Sequence, residues 1–242
     1  MPIILFVAVL LLLFNSPSRA EPALRMASLE YPPYSSAHLR NGGSIVELTR
    51  RAFAVQGHEV QIDFLPWARV RTDLHTGNYQ GALALWPKEV SAERLIASRP
   101  LFYSELGLFV RRGDPLQFST LSQLAGEKLG IVRGHGYPQH ILDAGLVLDE
   151  ALDDISNLRK LQAGRLNLVL LERRVGEHLI ANDPQLRGQL TWQGAVLERV
   201  PLLVGFVPRK AGQPDWVRIY EQGLRKLHAS GEYMRILRRH NH

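Results

Sequence analysis

Three short apolar runs near the start of the chain, residues 23–29, 60–64 and 81–85, are separated by two segments with helical periodicity. The first segment carries Ile45, Leu48, Ala52 and Val55 on one face and closes at Gly57. The second runs from Trp67 to His75 and stops at Gly77. Strands joined in succession by helices run parallel, and right-handed crossovers lay those helices over the sheet. Asn41-Gly42-Gly43 turns the chain ahead of the first helix, where Ser44 and Glu47 have capping-box spacing. The expected fold class is therefore α/β, with mostly parallel sheet flanked by helices.

Open parallel sheets present their ligand sites at the carboxyl ends of the strands. The strand over 81–85 runs into Trp86, Pro87 and Lys88, then Arg94, Phe102 and Tyr103, which reads as half of a small-molecule cleft. A second α/β run follows a strand at 106–111. It comprises a helix from Leu121 closing at Gly126, a strand at 129–132, and Gly134-His135-Gly136-Tyr137 leading to a helix that ends at Gly145. Further on come a strand at 147–152, a helix at 155–163 stopped by Gly164, a strand at 166–171, and Glu172 opening a helix through Ala181. The order strand, turn, helix, glycine, strand, loop in 64–86 is repeated in 148–172, with Gly164 in the place of Gly77. Such an echo predicts two similar lobes facing one cleft. A last strand at 202–207 precedes a C-terminal helix that Asp215 caps and Gly231 splits.

Residues 2–14 are almost wholly apolar, and Ser18 and Ala20 stand at the −3 and −1 positions of a small-x-small cleavage site. Residues 1–20 are expected to be a secretory signal peptide, since the run is too short to span a bilayer, and the destination is the periplasm. No Lys or Arg precedes the run, so an uncleaved membrane anchor is the alternative. No second long apolar stretch follows, and no membrane insertion is expected after cleavage. The net charge of +6 falls to +5 once Arg19 is removed, and Arg235, Arg238 and Arg239 gather near the end. An export signal argues against nucleic acid as the partner, and a basic terminal helix is ordinarily a solvated face. The chain has no cysteine. No G-x-S-x-G, Walker loop, H-E-x-x-H or other metal-ligand spacing is present, so neither catalytic residue, cofactor nor metal is expected.

The order Tyr31-Pro32-Pro33-Tyr34, Gly-Ser-Ile-Val-Glu-Leu over 43–48, Pro66-Trp67-x-Arg69, Gly77-Asn78-Tyr79-Gln80-Gly81, Ala92-Glu93-Arg94 and Pro100-Leu101-Phe102-Tyr103 resembles the extracellular solute-binding proteins of family 3. These are the periplasmic receptors of polar amino-acid ABC importers. Thr120 to Gly134, Gly164-Arg165-Leu166-Asn167 and Gly231-Glu232-Tyr233-x-x-Ile236-Leu237 extend the resemblance over nearly the whole exported chain. It implies a type II periplasmic binding protein fold, with lobe one formed by 21–107 and 206–242 and lobe two by 108–205. Two hinge strands, 106–111 and 202–207, would join the lobes as they close over a ligand.

Carried over residue by residue, the resemblance implies a ligand-binding set of Tyr31, Tyr34, Trp67, Trp86, Arg94, His135, Tyr137 and Glu172. Tyr31 and Tyr34 offer flat faces for stacking, with packing on the prolines as the alternative. Trp67 would make an apolar ligand contact or staple its helix to the sheet. Arg94 matches the family arginine that grips a carboxylate through two parallel hydrogen bonds, and Arg99 is its rival. Trp86 stands where small polar residues are usual, which narrows the pocket toward stacking. His135 and Tyr137 lie in a glycine-rich turn before a helix, where N–H groups can bind an anion. Glu172, eight residues after Gly164, would pair with a ligand ammonium or, in the bland alternative, with a neighbouring arginine on the surface. The function so implied is capture of a small polar metabolite, amino-acid-like or anionic, by a monomer that delivers it to an ABC permease. A sensing module for a signalling protein, or a dehydratase-like enzyme on the same scaffold, are the alternatives.

Overall fold

The computed structural model describes residues 24–114 and 118–242. The expected signal peptide, residues 1–20, lies outside the described residues. Strand β1, Leu24–Ser28, leads through a Pro-Pro turn to helix α1, Ser44–Ala54, and strand β2, Val60–Phe64. Helix α2, Trp67–His75, and strand β3, Gly81–Leu85, follow. β1 lies parallel to β2 on one side, Leu24 opposite Val60 and Ser28 opposite Phe64, and parallel to β3 on the other, Met26 opposite Gly81. All five residues of β3 are buried, which explains why that strand reads as an unbroken apolar run rather than an alternation.

Helix α3, Pro87–Ala92, and a two-residue strand β4, Ile96–Ala97, lead into β5, Phe102–Arg111. Strands β6, Lys128–Val132, β7, Val147–Ala151, and β8, Leu168–Glu172, build the second lobe, with β6 parallel to both others. Helices α4, Gln139–Leu142, α5, Asp154–Gln162, and α6, Arg173–Asn182, are interleaved with them. A long strand β9, Leu190–Phe206, closes the path, which runs β2-β1-β3-β9-β5-β8-β6-β7 with β4 also on β9. β5 and β9 lie antiparallel at its centre, β9 reaching β3 of the first lobe and β5 reaching β8 of the second. Gly107 has a packing reason there, because a Cβ on it would lie 2.2 Å from the Trp192 ring.

Several expectations need correction. The strand expected at 202–207 is only the end of β9, whose earlier residues are mostly half-buried or exposed and lack a clean period-two pattern. The helix expected from Leu121 is a single 3-10 turn, Leu121–Leu124, and the helix before Gly145 is the four-residue α4. Gly43 occupies the N-cap of α1, so Ser44 and Glu47 form no capping box. Ser44 Oγ lies 2.9 Å from His242 Nε2, and Glu47 is engaged by Arg239 and by His240 Nε2 at 2.7 Å.

Helices α7, Trp216–Ala229, and α8, Glu232–Arg239, are split at Gly231, whose φ of 69° is left-handed. Asp215 caps α7 by accepting from Arg218 N at 3.1 Å. α7 packs on α1 through an aromatic group in which Phe53 meets Phe206 and Tyr220. A smaller core under α2 gathers Trp67, Val70, Leu74, Tyr79, Val90 and Leu203. Among the described residues no helix is long and apolar enough to cross a membrane.

Candidate functional site

The loops after β1, β3, β6 and β8 converge. Beyond β1, Tyr31 and Tyr34 flank a cis Pro32–Pro33 bond, are almost fully buried, and stack with ring centroids 5.9 Å apart. Within β3, Ala84 adopts φ 61° where the register against β9 shifts between Ala82 and Leu85, and Trp86 follows directly on the strand. Trp86 N donates to Glu89 Oε2 at 2.8 Å, and its indole Nε1 donates to Ser104 Oγ at 3.3 Å. Beyond β6, His135 and Tyr137 approach Trp86 edge-on, at 5.5 and 5.4 Å between centroids. Val132 N donates to the Tyr137 hydroxyl at 3.0 Å, fixing that ring under the turn. Beyond β8, Glu172 caps α6 by accepting from Val175 N at 2.7 Å, and its other oxygen accepts from the Tyr34 hydroxyl at 3.1 Å.

The lobes touch across this cluster. Trp67 Nε1 donates to Gly134 O at 2.9 Å, and Lys88 Nζ donates to Tyr137 O and Gln139 Oε1, both at 3.1 Å. Gly136 N donates to Glu89 Oε1 at 3.2 Å. Only glycine allows that approach, since a Cβ on Gly136 would lie 2.9 Å from Lys88 Cβ. Burial raises Glu89 to about 7 against the pull of the Trp86 and Gly136 N–H groups. Burial likewise lowers His135 to about 4, so between about pH 4 and 7 both members of this close pair, 3.7 Å apart, are uncharged. Glu172 is raised to about 7 by burial, with Val175 N–H and the Tyr34 hydroxyl opposing.

Tyr31, Tyr34, Trp67, Trp86, His135, Tyr137 and Glu172 are thus brought together by the fold, and they fill much of the space between them. Arg94 is not brought there. It is exposed, sits with φ 54° just past α3, and borders a separate recess of about 490 Å3 with His75 and Val207. Arg99 also lies elsewhere, exposed, with its backbone N–H donating to Glu221 Oε1 at 2.7 Å. The chain reverses at Arg94 so that β4 can return along β9, which turns both arginines off the cleft.

Sequence reasoning missed the acidic side chains. An inner recess of about 310 Å3 between the lobes is lined by Phe64, Trp67, His135, Glu30, Asp153 and Asp154, among others. It adjoins a wider groove of about 1000 Å3 that shares Glu30, Asp153 and Asp154 and adds Arg159, His178 and Asp183. Asp153-Asp154 follows β7 at its carboxyl end, so the rule that pointed to Trp86 also covered this pair. The pair reads as a helix cap, however, and Asp153 does accept from Ser156 N at 2.9 Å. Asp154 is only 8 % exposed and is raised to about 7, first by burial and then by Asp153 and Glu172. Among the described residues no three His, Asp or Glu side chains could hold a metal ion. Chemically, the arrangement can exclude water, stack a flat or apolar body and place carboxylates against a positive charge.

The model of the bacterial extracellular solute-binding proteins, family 3, matches residues 24–242. A search of curated proteins gives no match. Among solved structures, a histidine kinase sensor domain with similarity to periplasmic binding proteins superposes with a TM-score of 0.77 at 21% identity, covering 91% of this chain and 96% of that one. An ancestral arginine-binding protein bound to arginine gives 0.75 at 19% identity, over 91% and 98% of the two chains. An amino acid ABC transporter substrate-binding protein from Streptococcus pneumoniae bound to L-arginine gives 0.74 at 18%, over 90% and 94%. At such identities the likeness is one of fold, the two-lobed type II periplasmic binding protein.

Proposed function

The chain belongs to the bacterial extracellular solute-binding proteins, family 3, and from that membership we propose that it captures a small polar solute between its two lobes. In this reading residues 1–20 export the chain to the periplasm, and 21–107 with 206–242 form one lobe and 108–205 the other. The chain works as a monomer and by binding rather than turnover. β5 and β9 are the strands about which the lobes move, and the closed form is what an ABC permease recognises. Trp67 and His135 line the recess that a ligand enters, and Tyr31, Tyr34, Trp86, Tyr137 and Glu172 make up the packed cluster behind them.

One observation carries the reading. Trp67, Lys88 and Glu89 of the first lobe are hydrogen-bonded to Gly134, Gly136 and Tyr137 of the second beside a recess of ligand size. Contacts of that kind form and break as lobes close and part. A second reading, a sensing module that reports closure to a signalling protein, is supported by the likeness to a histidine kinase sensor domain. A thermal-shift screen against amino acids, organic acids and amines tests the core of both. A ligand at about 100 times its Kd adds roughly 2.7 kcal/mol of stability. A folded protein that responds to nothing in a broad panel refutes capture of a small solute. A responding protein is then assayed for binding to a permease or to a sensor partner, which separates the two readings.

A further inference from the structure

Asp154 is the one acidic side chain of the cleft whose situation calls for something the protein does not itself supply. The residue is only 8 % exposed and borders both the inner recess and the outer groove. It accepts no hydrogen bond and makes no ion pair among the described residues, whereas its neighbours are each engaged. Asp153 caps α5 through Ser156 N, Glu30 accepts from Ala37 N at 3.0 Å, and Asp183 holds Arg159 at 3.1 Å. A carboxylate so little exposed and without a partner from the protein is costly to charge, and a ligand that provides a cation lowers that cost.

The chemistry of that cation can be narrowed. A metal is a poor match, because no three His, Asp or Glu side chains converge among the described residues. Of the residues lining the two recesses, Arg159 alone carries a permanent positive charge, and Asp183 already occupies it. Arg94 and Arg99 face other surfaces. A carboxylate on the ligand would therefore enter a recess bordered by Glu30, Asp153 and Asp154 with no free guanidinium to receive it. Phe64 and Trp67 on the inner wall suit an apolar stem, and aromatic faces favour a nearby ammonium.

Resting on the solute-receptor reading, we propose that the ligand is an extended organic cation without a carboxylate, an amine on an apolar stem, seated on Asp154 with Glu30 facing its outer end. This departs from the zwitterionic or anionic ligand that Arg94 suggested in the sequence. The ammonium sits on Asp154, the stem lies against Phe64 and Trp67 of the inner recess, and its outer end reaches Glu30 where that recess meets the outer groove.

Spermidine is the probe, with L-glutamate and succinate as carboxylate counterparts, measured by calorimetric titration and thermal shift at pH 8. Salt of about 0.15 M screens loose surface pairing. Spermidine is expected to bind and to raise the unfolding midpoint, and the two carboxylates to leave it unmoved. Asp154→Asn should weaken spermidine at least roughly tenfold, as expected for losing a charged hydrogen bond. Its own stability should be unimpaired, because no internal partner is lost. Glu30→Gln, at an exposed position, should weaken spermidine several-fold and keeps the test decisive should Asp154→Asn fold poorly. Spermidine binding unchanged in both variants overturns the site. Binding of glutamate or succinate in preference to spermidine overturns the cation assignment and leaves the receptor reading standing. Silence with all three also overturns the cation assignment, and the receptor reading falls with it only if the broad panel is silent as well.

Discussion

The Tyr34 hydroxyl, in the turn after β1, donates to Glu172 at the end of β8, a bond of 3.1 Å between residues 138 positions apart. It ties the turn after β1 in one lobe to the helix cap of the other, at a carboxyl that burial has raised to about 7. Tyr34→Phe removes the donor and keeps the ring. The loss should be about 1 kcal/mol near pH 5.5, where Glu172 is neutral, and about 2 kcal/mol at pH 8, where it is charged. Denaturant unfolding at the two values checks this, and an equal loss at both would show that Glu172 does not titrate in that range.

Glu89, Asp154 and Glu172 are all raised to about 7 by burial. For a carboxyl raised in the folded state, that state binds the extra proton between the two pKa values, so stability falls as pH rises through the window. His135 and His242, lowered to about 4, act oppositely, but only below the ordinary histidine value of 6.5. Between pH 6.5 and 8 the carboxyls act alone, and unfolding free energy should decline. Moving Glu89 from 4.5 to about 7 corresponds to roughly 3 kcal/mol. Glu89→Gln should flatten the decline, and unfolding curves of both proteins at pH 6.5 and 8 give the comparison.

Gly136→Ala places a methyl group against Lys88 Cβ and Glu89. The turn after β6 must then lift from α3, weakening the Gly136–Glu89 and Trp67–Gly134 bonds together. We expect a cost of about 1–3 kcal/mol to the closed form and a larger radius of gyration by X-ray scattering. An unchanged radius would mean that this contact does not hold the lobes together.

Arg94→Ala should leave solute affinity within about twofold, since the side chain is exposed and borders a separate recess. Titration calorimetry with any solute that shifts the protein decides it. A tenfold loss would return Arg94 to the site by way of a large movement of α3.

Much of this architecture was legible in the chain. Trp67–His75 and Gly81–Leu85 were read to the residue because Pro66 and Gly77 bound the helix and β3 is buried on both faces. The meeting of Tyr31, Trp86, His135 and Glu172 followed from motif order and from the rule of strand ends. What escaped depends on geometry that no local pattern encodes. β9 hid because its half-buried stretch lacks alternation. The direction of Arg94 is set by one left-handed turn. Glu89 is buried beneath Gly136 of the facing lobe and Asp154 beside the recess between the lobes, whereas in the sequence each is an ordinary acid in the first turn of a helix.

Of the four tryptophans, Trp67 and Trp86 stand at the junction of the lobes, with the Gly134 carbonyl, His135 and Tyr137 of the facing lobe against their rings. Trp192 packs on Phe109 and Trp216 on Phe53, away from that junction. Parting the lobes would move water onto two indoles and leave two untouched. The chain therefore carries its own optical gauge, in which half of its fluorophores report the gap and half serve as a steady internal reference.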